Sequence, residues 1–328
     1  MKKYGLVIFV ALLFSFGLKA QKSYNMVGFE MQLKPLMEEM FSADKDNERF
    51  AANEKFISEL EDALLFEKSF AYSFPALDKI SILTAPDKSF RIFTWAIVNQ
   101  SGEWENYGFV QSKNNVTGEY ELSRLFDKSR DAISPEEEKL NDSTWYGAVY
   151  YDLIANKHEG KTYYILLGWN GNDIYSQKKI IEPISFRQNA KPVFGQQVFY
   201  KDKQRMRYIF EYSTDAEFTL KYDDQYYEIS TNQKAKSTLL HKAQPFEKEA
   251  AKTEKQRMIF FDELEPTVYG MDGLTQYYVP SGEVTGLYFD NGRWKKLKYN
   301  VLPRNKAEKN DAYTPDETKI RGLFPVKH

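Results

Sequence analysis

Three carboxylates interrupt runs that otherwise read as buried strand: Glu182 in KKIIEPISF, Glu211 in RYIFEYS and Asp262 in MIFFDEL. Burial raises a carboxyl pKa, and two carboxyls across one pocket supply the acid and the base or nucleophile of a polysaccharide hydrolase. The same residues have a second reading. Strand side chains alternate between faces, so a lone acid in an apolar run points to solvent or pairs with a neighbouring Lys or Arg. Two of the three facing each other at roughly 5 to 10 Å would favour the hydrolase; three on separate faces would not.

Residues 168–173, GWNGND, combine an aromatic, two amides, two glycines and a carboxylate. Asn-Gly between strand-like runs predicts a two-residue type I′ hairpin, because both central positions need positive φ. DNGRW at 290–294 repeats the device. The other reading is a polar ligand rim, with Trp169 against the apolar face of a sugar and Asn172 and Asp173 bonding its hydroxyls. A calcium loop is poorly supplied, since Asp173 is the only carboxylate and EF-hand spacing is lacking.

Other chemistries are scarcer still. The chain has Cys 0, which removes thiol catalysis, thiolate metal sites and disulfides. Three histidines, His158, His241 and His328, are far apart, and His158 lies in a turn-like ANKHEGK. No nucleotide, cofactor or metal motif occurs, so neither a cofactor nor a metal is expected. The five tryptophans (95, 104, 145, 169, 294) read as core residues or as stacking platforms. NVT at 115–117 fits an N-glycosylation acceptor, and DST at 142–144 makes Ser143 a candidate for bacterial O-glycosylation.

The elements that must position these groups follow from periodicity. Lys2 and Lys3 precede an apolar stretch, and Leu18-Lys19-Ala20 offers a cleavage site, so residues 1–20 read as a signal peptide of an exported protein. No later run is long and apolar enough for a membrane span. Cleavage would leave 42 bases against 47 acids, a net charge of −5 with interspersed signs. That balance gives no footprint for nucleic acid or an anionic membrane. Residues 21–69 read as a helical brace, with a break at Pro35 and a cap at Asp46 or Asn47.

From residue 70 the apolar period becomes two, and aromatics reach 16% of the chain, both of which favour strand. Residues 70–302 therefore read as a single β-rich domain of about sixteen strands, an antiparallel meander that is propeller-like or alternatively a β-sandwich. Runs such as WYGAVYYDLI are apolar on both faces, which predicts a sheet covered on both sides. Charged stretches at 127–142 and 241–256 interrupt the strands, and 303–328 is a polar tail.

TAPDKSFRIFTWAI, YYILLGWNGND with KKIIEPISF after it, PVFG and RYIFEYS together resemble an uncharacterised family of exported Gram-negative proteins, over about residues 45–300. That resemblance implies export and a shared β-rich body, and it transfers no catalytic or binding residue. The sequence as a whole favours a non-catalytic binding or cell-envelope protein, its partner a glycan or another envelope protein. The carboxylate-dependent polysaccharide hydrolase is the alternative.

Overall fold

A computed structural model describes residues 25–66, 68–229, 252–298 and 300–302. The segment expected to be a signal peptide (1–20), His241, His328 and the polar tail (303–328) lie outside the described residues. The protein is mainly β, at 46% strand and 17% helix.

Two helices open the described chain, α1 (Met26–Ser42) and α2 (Asp46–Leu65). The Asn25 side chain accepts from Gly28 N–H at 2.7 Å and caps α1. Phe29, Leu33, Met37 and Met40 then recur at helical spacing on its buried face. Pro35 does not break this helix, contrary to the sequence expectation; it lies inside α1 on the exposed face. The carbonyl it leaves without an N–H partner can take water there. The break falls instead between Ser42 and Asp46. Asp46 is not the cap of α2, which is Lys45, whose side chain makes no capping bond. The Asp46 carboxylate accepts from Gln100 N–H at 3.0 Å and ties the helix start to the β body.

The described strands form three antiparallel sheets in chain order, none of them closed into a barrel. The first is the meander β1 (Ser81–Thr84), β2 (Phe90–Val98), β3 (Trp104–Lys113) and β4 (Tyr120–Phe126). The second contains β5 (Leu140–Asn141), β6 (Val149–His158), β7 (Lys161–Asn170), β8 (Ser176–Phe186), β9 (Pro192–Phe194) and β10 (Tyr208–Ser213). Here β9 and β10 both pair with β8, at its two ends. The third contains β11 (Leu220–Ile229), β12 (Lys252–Pro266), β13 (Tyr278–Asp290), β14 (Arg293–Lys296) and β15 (Asn300–Val301).

These elements stack in sequence. Leu33, Phe56 and Leu60 of the helices pack on Phe93, Trp95 and Phe109 of the first sheet. Phe90, Ile92 and Val110 on its other face meet Tyr150, Leu166 and Ile180 of the second. Ile165, Leu167 and Ile181 then meet Leu220, Ile259 and Trp294 of the third. Two-sided cover is complete for β2, whereas β6 is buried chiefly through its first half. Arg91 locks the helices to the first sheet. Buried at 2% exposure, it donates to Gln111 Oε1 and to the carbonyls of Tyr72 and Ser69 at 2.6–2.7 Å.

The charged stretch 241–256 is not wholly an interruption, because β12 already begins at Lys252. Thr253, Lys255 and Arg257 face solvent in alternation along it. A strand with so many charged residues carries no apolar signal until Met258.

Candidate functional site

GWNGND is a turn, but not the one its Asn-Gly predicts. Asn170 is the last residue of β7 and pairs with Lys178, so the connection is longer than two residues. Positive φ falls on Asn172 (49°) and not on Gly171. What Gly171 provides is room: a Cβ there would lie 2.3 Å from Trp104 Cγ. DNGRW does form the predicted turn, with Asn291 and Gly292 at φ 50° and 71° between paired Asp290 and Arg293.

The three rim residues are engaged within the protein. Trp169 is 9% exposed, meets Trp104 edge-on with ring centroids 5.0 Å apart, and donates Nε1–H to Gln177 at 2.7 Å. The Asp173 carboxylate accepts from the backbone N–H groups of Tyr175 and Ser176 at 2.8 and 3.0 Å. Asn172 donates to Asp173 and to Ser176 Oγ. These bonds shape the loop.

The three carboxylates are dispersed. Glu182 has no exposed side-chain surface and receives both carboxylate contacts from Arg207 Nε at 3.0 Å, with Arg207 equally buried. Burial pushes the Glu182 carboxyl up to about 7, against the opposing pull of Arg207. Such a carboxyl suits a general acid electronically, yet no substrate can reach it. Glu211 lies on the same face, opposite Lys178, which is four residues from Glu182 and so roughly 13 Å away along the strand. Its carboxylate accepts from Ser176 Oγ at 2.6 Å and stands 3.9 Å from Lys178 Nζ. Asp262 sits on the third sheet at a β-bulge and accepts from Thr219 N–H at 2.6 Å. The structure does not bring the three to one pocket.

It does form a groove the sequence reading missed. Excursion 127–139 crosses the end of the second sheet beside β10. Glu136 pins it, accepting from Arg205 Nη1 at 2.5 Å and from Ile209 N–H at 2.9 Å. Between this excursion and β10 lies a cleft of about 710 Å³, bordered by Arg130, Ile133, Tyr146, Lys178, Glu211 and Thr275. A second cleft of about 350 Å³ shares Ser129 and Arg130 with it and runs on to Trp104 and Asp127. Burial, with Glu211 adding to it, pushes the Tyr146 phenol up, so it stays a neutral donor in this groove. The only sequence signal was the charge of 127–142; which strand that stretch would cover was not readable.

Ser143 is exposed, and both its N–H and Oγ–H donate to Asn141. His158 is at the β6–β7 hairpin tip, where Glu159 and Gly160 take φ 47° and 76°. All five tryptophans are buried. Among the described residues no group of His, Cys, Asp and Glu is arranged to hold a metal. No described helix is long and apolar enough to cross a membrane.

Fold and site together define a mainly β protein: three stacked antiparallel sheets, a helical layer on one face, and an open polar groove at the end of the middle sheet. No protein-family model matches the chain, and no curated protein or solved structure matches it.

Proposed function

We propose that this is an exported, non-catalytic binding protein of the cell envelope, its ligand held in the groove between excursion 127–139 and β10. The observation carrying this reading is the groove itself, which combines charges of both signs with exposed apolar groups such as Ile133 (94% exposed). Open, mixed surfaces of this kind on a rigid β scaffold suit recognition. The hydrolase reading has less support, because Glu182 is sealed, Asp262 is on another sheet, and Glu211 has neither of them for a partner. Export rests on residues 1–20 and on the family resemblance.

The experiment is a binding screen of the purified protein on a glycan array and against soluble envelope fragments, with Glu137→Lys and Arg130→Ala as groove variants. Saturable binding weakened by either variant, with melting unchanged, is the expected result. Release of reducing sugar from a polysaccharide, abolished by Glu211→Gln, would replace the reading with the hydrolase.

A further inference from the structure

β10, which borders the groove, pairs with β8 on one side only among the described residues. In an antiparallel ladder the N–H and C=O of one residue point to the same side, and successive residues alternate. Thr214 N–H bonds Tyr175 on the β8 side, whereas Ile209 N–H is taken from the opposite side by the Glu136 carboxylate. Glu211 and Ser213 are in phase with Ile209, so their N–H groups point away from β8. The Ile209 and Glu211 carbonyls do the same. The Ser213 carbonyl is used by Ala216 N–H, which closes the open edge at that end. Glu136 thus does for Ile209 what a partner strand would do for Glu211 and Ser213.

Ile209 and Glu211, residues whose outward main-chain groups remain on this edge, both border the groove. An unpaired strand edge is a template for an extended chain. The surrounding charge selects which chain. Segment 131–138 carries four carboxylates and no Lys or Arg, and segment 262–283, which includes Thr275, carries five and none. Asp131, Glu136 and Glu263 are offset by Lys128, Arg205 and Lys296, and Asp262 is bonded to Thr219, which leaves Glu137, Glu138, Glu265, Asp272 and Glu283 as the acidic excess. The groove's own bases are offset, Lys178 by Glu211 at 3.9 Å and Arg130 by Glu103 at 3.5 Å. Ile133, Leu274 and Tyr277 are exposed apolar groups on the same two segments.

We propose that the outer edge of β10 receives an extended segment of a partner protein by strand addition, the segment carrying Lys or Arg on alternate residues and apolar side chains between them. This rests on the groove being the binding surface and names the chemistry of what fills it.

The probe is an acetylated, amidated peptide of about eight residues alternating Lys and Val, with a Glu-Val peptide as its counterpart. Fluorescence anisotropy should show saturable binding of the basic peptide, and the acidic one should bind roughly tenfold more weakly or not at all. Glu211→Pro removes one outward N–H and leaves the inward bonds of β10 in place, so the fold should survive. Glu211→Gln removes the same charge and keeps the N–H. The expected result is binding roughly fivefold weaker for Glu211→Pro than for Glu211→Gln. Amide exchange on the parent protein gives a second readout, because the basic peptide should slow exchange at Glu211 and Ser213. Equal affinity of the two variants, or exchange unchanged at saturation, overturns strand addition. If the peptide fails while a glycan binds and is lost in Glu137→Lys, strand addition falls and the binding reading stands. If neither ligand class binds, both fall.

Discussion

Gly171→Ala should destabilise the protein through overlap and not through backbone strain. The new Cβ would lie 2.3 Å from Trp104 Cγ and 2.5 Å from Cδ1 and Cδ2, against an ordinary carbon contact of about 3.5–4 Å. Ring or loop must therefore move by roughly 1 Å or more. Neither moves freely. Trp104 N–H bonds the Asn172 carbonyl at 3.0 Å, and the indole meets Trp169 edge-on with centroids 5.0 Å apart. Overpacking of this kind costs about 1–3 kcal/mol, and the loss of an aromatic contact places it near 3. Trp104→Leu opens the space, so on that background Gly171→Ala should cost less than about 0.5 kcal/mol, an interaction of about 2.5 kcal/mol. Urea unfolding of the four proteins measures the cycle. Additivity within about 0.5 kcal/mol would refute the reasoning. Gly118→Ala is the contrasting control, because its Cβ would meet nothing within 4 Å and its φ of 79° makes conformation the cost, about 1 kcal/mol.

Trp169→Ala should cost about 3–5 kcal/mol in the same assay; lost binding with unchanged melting would instead return Trp169 to the ligand rim. Folding raises the Glu182 carboxyl from its ordinary 4.5 to about 7, so the native state holds this proton more tightly than the unfolded chain. Its stabilisation is full below pH 4.5 and lost as pH rises to about 7, a fall of up to about 3 kcal/mol that Glu182→Gln should flatten in a pH series of denaturant melts. Arg91→Met should cost about 3 kcal/mol by stranding the buried Gln111 Oε1 and taking a donor from the Ser69 and Tyr72 carbonyls, and should open the 68–74 connection to limited proteolysis. With Cys 0, a reductant should leave the melting temperature unchanged.

Local pattern carried much of the fold. The apolar period of Phe56, Leu60 and Leu64 marked α2, and the change to period two marked the strands. DNGRW formed the turn its residues require, with Asn291 and Gly292 both at positive φ. GWNGND did not, because Trp104, from a different sheet, decides what fits at 171. Pro35 was misread for a related reason: its effect depends on whether the orphaned carbonyl faces water. Glu182 read equally well as acid or as ion-pair partner, and only the return of β10 brought Arg207 to it. The groove was the least legible feature. Its border combines 129–137, 146, 178, 209, 211 and 275, and no short stretch contains that combination.

The central claim is that the groove beside β10 is where this protein meets its ligand. Site-specific photo-crosslinking in the cells that make it tests this most directly. A benzophenone amino acid replaces Ile133, 94% exposed on the groove wall, or Val116, 84% exposed at the far end of the β3–β4 hairpin. The prediction is a discrete, light-dependent adduct from position 133 and none from position 116. No adduct from 133, or the same adducts from both positions, would contradict the claim.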